Sequence, residues 1–265
     1  MFADDLNVFK QFDLDTTNSD IVDDMSLCKT SVHKWGVRNR VAFDAGKEHI
    51  IIIHPQDGQG DNFKLLGCLI DVALTMNAEI DYLVSRAKPK IHALLRTRGI
   101  YSVKDMILQY KTHIWGITEH PNGCIVHATD TVLKRLDHLQ TSFLSKLEID
   151  ESHAFLEYNF APSALRRDIA VLGLLHKRVL VLAHPSFEEL LPFLPADRRT
   201  HHDKMLDSRL SDCTKRYPLW SRSIFGKVSV YNLLPNYVVH LPSVSEFQNV
   251  LTIIVKQRCH NNLVA

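Results

Sequence analysis

Two adjacent carboxylates, Asp4 and Asp5, follow Phe2 and Ala3. On a tight hairpin such a pair faces a common point if the turn distorts the strand alternation. Hard cations such as Mg²⁺ favour that arrangement, with anionic protein oxygens and positions left for water and phosphate. Two such ions about 3.5–4 Å apart activate a 3′-hydroxyl and stabilise departing pyrophosphate. The plainer reading of Asp-Asp is a solvated acidic turn. Lys47 follows Gly46 just before a β-branched run. An ammonium there could donate a proton to a phosphate oxygen, or it is a strand-end lysine. Gly67 interrupts the apolar run 63–71, where glycine weakens a strand unless another backbone approaches or the strand bulges.

Charge is distributed unevenly. The chain has 31 Lys and Arg against 30 Asp and Glu, a net +1. Residues 1–30 nevertheless carry a balance of −5, and residues 82–113 a balance of +6. Arg86, Lys88, Lys90, Arg96 and Arg98 have no acid between them, a pattern able to follow a phosphate backbone along one side of a helix. Solvated faces are the alternative. Tyr101, Tyr110 and Trp115 are candidates for stacking on bases, although Trp115 falls in an apolar helical pattern that suits a core. Arg166-Arg167 and Lys177-Arg178 repeat the basic theme. His201-His202-Asp203 has Cys213 ten residues on, but no zinc-ligand spacing accompanies it.

Composition narrows the class. With 265 residues, 45% apolar and 23% charged, the chain reads as an ordinary globular protein of one large or two small domains. Five scattered Cys without a CxxC pair argue against a disulfide scaffold and for a reducing, intracellular compartment, nucleus or cytoplasm. The acidic N-terminus has no signal-peptide core, and no stretch is apolar enough to span a bilayer.

The periodicity then places these residues on elements. The flanks Phe2-Ala3 and Leu6, Val8, Phe9 predict a short hairpin over 1–13. Residues 17–36 read as a capped helix with Ile21, Met25, Cys28, Val32 and Trp35 on one buried stripe. HIIIIHP (49–55) predicts a buried strand, QDGQGDN a turn and 63–71 a second strand. Residues 78–98 are helical, with Pro89 a kink or break. Ser102 opens a further helix, and Thr129 or Asp130 another, with Val132, Leu136, Leu139, Phe143 and Leu147 on one face. Residues 163–183 form another helix and 185–195 a short one. Residues 196–222 look like a linker, 228–242 like two short strands or irregular chain, and 243–258 like a terminal helix with Glu246 at the capping-box position.

The order of these motifs resembles the reverse transcriptases of non-LTR retrotransposons. Phe2-Ala3-Asp4-Asp5 is similar to the family's catalytic hairpin, which usually begins with Tyr. Trp35, Asn39, Phe43 and Lys47 resemble the following palm motif. Phe63-Lys64-Leu65-Leu66-Gly67 resembles the primer-grip hairpin. Residues 78–195 resemble the thumb and the segments after it.

That resemblance implies an α+β fold: a small N-terminal antiparallel sheet, the partial palm, over residues 1–76. A helical thumb-like region over 77–195 and a linker with a C-terminal helical segment over 196–265 would follow. It implies Asp4 and Asp5 as Mg²⁺ ligands and catalytic groups, and Lys47 as proton donor to the leaving pyrophosphate. Leu66 and Gly67 would lie against the primer, and Arg86, Lys88, Lys90, Arg96 and Arg98 against an RNA template–DNA primer duplex. In the family a further metal-binding aspartate lies upstream of this hairpin. The chain is therefore expected to be the C-terminal fragment of an RNA-directed DNA polymerase, a nucleotidyltransferase inactive alone and completed by an upstream polymerase fragment. The alternative is a non-catalytic nucleic-acid-binding helical module, or the inert product of a decayed element.

Overall fold

Thr17 ends an extended stretch and opens the first helix by accepting the Asp20 amide on its hydroxyl. The computed structural model describes residues 6–13, 15–54, 57–207 and 223–264. The chain divides into two units, Met1–Phe63 with Asp71–Leu74, and Lys64–Ile70 with Thr75–Ala265.

In the first unit, α1 (Asn18–Asn39) ends at Arg40, whose φ of 58° turns the chain back so that the Val41 amide reaches the Gly36 carbonyl at 2.8 Å. A Cβ on residue 36 would lie 2.7 Å from both the Phe43 ring and the Val41 carbonyl oxygen, so this crossing requires glycine. The stripe expected on α1 is only half-buried at Ile21, Met25, Cys28 and Val32, and Trp35 is 54% exposed. Among the unit's described residues, only Gly36 and Ile52 are buried. Polar contacts supplement the thin packing: Glu48 lies 2.7 Å from both the Lys29 ammonium and the His33 ring, and Lys10 meets Asp24 at 2.8 Å.

The two strands expected here do not form among the described residues. Residues 6–13 carry no strand, and residues 1–5 lie outside the description. The run 49–54 contributes one antiparallel bridge, Ile52 to Gln59. β-branched residues favour a strand only when a neighbouring strand supplies the ladder, and Gln59 on the following turn supplies one rung.

Apart from Phe63, which belongs to the first unit, the hairpin β1 (Phe63–Leu65) and β2 (Cys68–Ile70) opens the second unit as a two-stranded antiparallel sheet. Helix α2 (Asn77–Arg96) runs through Pro89 without interruption. Pro89 and Ser85, whose carbonyl loses its partner there, both face solvent, so water can serve that carbonyl. Helix α3 (Val103–Tyr110), capped by Ser102, continues through a π turn (Lys111–Trp115) and a last α turn (Gly116–Thr118). After the short α4 (Asn122–Ile125), α5 (Asp130–Lys146) starts at Thr129 and packs along α2. Leu136, Leu139 and Phe143 are buried as expected, joined by Leu133, while Val132 and Leu147 are half-buried.

Helices α6 (Glu151–Tyr158) and α7 (Ser163–Val179) complete this half, followed by α8 (Ser186–Leu190). Residues 228–242 form two short helices, α9 (Val228–Asn232) and α10 (Asn236–Val239), instead of strands. Helix α11 (Val244–Val264) begins where Ser243 accepts the Glu246 amide, and lies along α7. A Cβ on residue 173 of α7 would overlap the side-chain amide of Gln248 on α11, so a larger residue there requires Gln248 to move aside. The last core gathers Leu172 and Leu175 of α7, Tyr231, Val238, and Phe247 and Leu251 of α11.

Residues 196–207 are not a free linker. His202, Met205 and Leu206 are buried, Phe193 bridges Leu206, and the Asn232 side chain holds both the amide and the carbonyl of Leu206 at 2.9 and 2.8 Å. Residues 208–222, the rest of the expected linker, lie outside the description. The class is α+β, with its described sheet confined to 63–70 and no wider N-terminal sheet among the described residues.

Candidate functional site

Gly67 owes its place to a turn. Leu66 and Gly67 have φ of 50° and 86°, the paired positive values of a two-residue type I′ hairpin turn. Neither a strand bulge nor a crowded strand interior is involved. The turn leaves Leu66 63% exposed at the hairpin tip, with His120 Nε2 3.4 Å from its carbonyl oxygen. Behind the tip, the Leu69 amide donates to the Glu79 carboxylate at 2.7 Å, and Glu79 is 1% exposed. One buried hydrogen bond to a charged acceptor thus ties the hairpin to the first turn of α2.

On α2 itself, Arg86, Lys88, Lys90 and Arg96 are exposed, and Arg98 is exposed just past the helix end. None makes an ion pair with a described acid. They do not share one stripe. At 3.6 residues per turn Arg86 and Lys90 lie about 40° apart, whereas Lys88 falls roughly 160° from either. The coherent cluster is Arg86 and Lys90 with a cation the motif spacing did not single out, Lys64 of β1. Lys64 Nζ lies 4.9 Å and the Arg86 guanidinium 5.5 Å from the centre of the Tyr82 ring. Asp81, the acid next to Tyr82 in sequence, is taken by Arg135 at 2.9 Å. The only sequence signals for Lys64 and Tyr82 were their neighbours, since their meeting depends on the hairpin folding onto α2.

Lys47 belongs to the first unit. It ends a 3₁₀ turn, Ala45–Lys47, that Asp44 opens by accepting the Gly46 amide at 3.0 Å. Its side chain is 85% exposed, with Asp44 3.7 Å away. Of the motif residues before it, Asn39 donates to the Trp35 carbonyl at 2.8 Å and Phe43 packs on Gly36. Asp4 and Asp5, the expected Mg²⁺ ligands, lie outside the described residues. No group of three or more His, Cys, Asp or Glu able to hold a metal occurs among the described residues.

Other basic residues on the later helices serve the interior. Arg167, 6% exposed, forms a two-pronged pair with Asp137 at 2.5 and 2.8 Å. Arg166 meets Glu119 at 2.5 Å, Gln140 at 3.0 Å and the Ala161 carbonyl, and lies 4.2 Å over the Trp115 ring. Trp115 stacks in turn on Phe160, as the apolar pattern implied. Arg178 is 5% exposed and donates to the Leu191 carbonyl. Burial pushes the Tyr110 hydroxyl above the usual tyrosine range, and Tyr110 packs on Phe143 and Phe160, so it is no base-stacking surface. Tyr101 alone of the three aromatics is half-exposed. In the histidine cluster, His202 is buried and Asp203 turns to His240 at 2.9 Å.

No protein-family model, no curated protein and no solved structure matches this chain. No described helix is long and apolar enough to cross a membrane.

Proposed function

We propose that the chain is the C-terminal part of a non-LTR retroelement reverse transcriptase and holds a template–primer duplex through its second unit. The observation that carries this reading is the pair of uncountered cations Lys64 and Arg86 at Tyr82, with Lys90 one turn beyond Arg86 on the same face of α2, tied by Glu79 to the exposed Leu66-Gly67 tip. A rigid helix offering cations with no acidic partner suits a polyanion. The order of the acidic pair, the Trp35–Lys47 motif and the Phe63–Gly67 motif supports the polymerase ancestry.

Polymerisation needs more than this chain. The first unit buries few side chains and leaves Phe9 93%, Leu27 71% and Val37 80% exposed, which suits a surface completed by another polypeptide. When bound, Mg²⁺ would supply nucleophile activation and charge neutralisation, with Asp4 and Asp5 as its holders. In this reading the purified chain gives no extension with primer, template, dNTPs and Mg²⁺. Adding an upstream polymerase half restores extension, and Asp4→Ala abolishes it. Robust extension by the chain alone refutes the dependence.

A second reading, a non-catalytic nucleic-acid-binding module, rests on the same cations. It predicts duplex binding without rescued extension. In both, Arg86→Ala with Lys90→Ala weakens binding of an RNA–DNA duplex. Each lost phosphate contact flattens the log–log salt slope by roughly 0.7–1. Affinity that does not change with salt or with these substitutions excludes both.

A further inference from the structure

Away from the hairpin and α2, three cations converge on the C-terminal end of α6. Lys111, in the π turn after α3, donates to the Tyr158 carbonyl at 2.6 Å. Lys256 of α11 donates to Asn159 Oδ1 at 2.7 Å, one residue further on. Arg166 of α7 and Lys111 share the Trp115 ring, at 4.2 and 5.4 Å from its centre. Segments distant in sequence are needed to bring them together.

We propose that Lys111 and Lys256, gathered by Tyr158 and Asn159, form a binding site for a phosphate-type oxyanion. The charge and hydrogen-bond inventories both leave room for one. Glu119 is the acid in this group, and Arg166 occupies it at 2.5 Å. No described carboxylate lies within ion-pair distance of either lysine. Each ammonium has three donors, and the structure gives each one recorded acceptor. The Trp115 Nε1–H is buried in the same cluster and has no acceptor among the described residues. Burial, with Arg166 and Lys256 close by, holds the Lys111 ammonium below the ordinary lysine range. An anion relieves that strain by neutralising charge the protein leaves uncompensated. Lysines at a helix C-terminus also satisfy orphan carbonyls. That role explains the bond to Tyr158, but neither the second lysine on a side-chain amide nor the unpaired indole.

The site is independent of duplex binding on α2 and is tested separately. Inorganic phosphate is titrated into the ¹⁵N-labelled protein against chloride at matched ionic strength. The readout is the Trp115 indole cross-peak, assigned by its loss in Trp115→Phe. A saturable shift is expected, half-maximal on the order of millimolar phosphate. Lys256→Met weakens it about tenfold or more, and Lys111→Met abolishes it. If circular dichroism shows that Lys111→Met does not fold, Lys256→Met alone decides. A ten-nucleotide single strand titrated in parallel distinguishes the sources. Response to the strand at far lower concentration assigns the oxyanion to a phosphodiester backbone, and an equal or weaker response assigns it to free phosphate. No saturable response to either probe, or a response that Lys256→Met leaves unchanged, overturns the proposal.

Discussion

The Leu69 amide and the Glu79 carboxylate meet at 2.7 Å with Glu79 almost wholly buried, and this bond fixes the hairpin on α2. A buried backbone amide that loses a charged acceptor bears most of its desolvation cost. Glu79→Ala is expected to lower stability by about 1–3 kcal/mol. It should also raise amide exchange of Leu69 above that of the α5 core, measured by hydrogen–deuterium exchange. Equal protection of Leu69 in the variant would show that the bond is not what anchors the hairpin.

The hairpin turn gives opposite expectations for its two residues. Gly67→Ala places a Cβ at a φ of 86° and should cost about 1–2 kcal/mol in urea unfolding. Leu66 already stands at a φ of 50°, a conformation asparagine tolerates better. Leu66→Asn should therefore leave stability unchanged or raised. A loss of duplex affinity in that variant, with stability intact, would assign the exposed leucine to the interface. A type I′ turn that tolerates Gly67→Ala at no cost would contradict the geometry.

Arg167 and Asp137 test the opposite role for a basic residue. Removing one partner of a buried ion pair strands the other, so Arg167→Met should destabilise by about 3–5 kcal/mol. Its duplex affinity per folded molecule should not change. Chemical denaturation and a binding assay on the folded fraction separate the two effects. Lost binding with stability intact would place Arg167 at the interface instead.

Acid should weaken the C-terminal core. His176 is fully buried, with its ring nitrogens 3.0 Å from the Tyr231 hydroxyl and 2.9 Å from the Leu241 carbonyl. A carbonyl only accepts, so Nε2 carries a proton; burial disfavours a second one, and in the neutral ring Nδ1 accepts from the Tyr231 hydroxyl. Burial holds the pKa values of His176 and His202 below the ordinary histidine value. The unfolded chain then binds more protons than the folded one as pH falls below about 6.5. The stabilisation is complete above that pH and is lost as pH falls through the lowered folded values. Thermal melts from pH 8 to 5 should show it, with His176→Gln reducing the slope. A flat profile would mean these rings accept protons without cost.

Local grammar carried far into the structure. Thr17, Ser102, Thr129 and Ser243 each cap the helix expected after them, because a cap needs only its own next turn. The face of α5 was legible because Leu136, Leu139 and Phe143 repeat at helical spacing. Gly67 was visible as an exception, but the turn that explains it needs two neighbouring φ values that spacing does not specify. The run 49–55 looked like a strand because branched side chains favour one, but that preference is expressed only beside a partner strand. The segment 228–242 failed for the converse reason. Burial of Tyr231, Val238 and Val239 against α7 and α11 overrides the strand preference of its valines.

For the candidate sites the division is sharper. By itself the sequence determined which residue types were present: an acidic pair, an uncountered basic stretch and a glycine where a strand would not want one. Tertiary structure alone decided which charges remain available. It buried Arg167 and Arg178 and engaged the half-buried Arg166 with acids and carbonyls, left Arg86 and Lys90 in solvent, and brought Lys64 to Tyr82 and Lys111 towards Lys256. A charge's role depends on the groups within a few ångströms of it, and for these residues most of those groups come from chain segments far away in sequence.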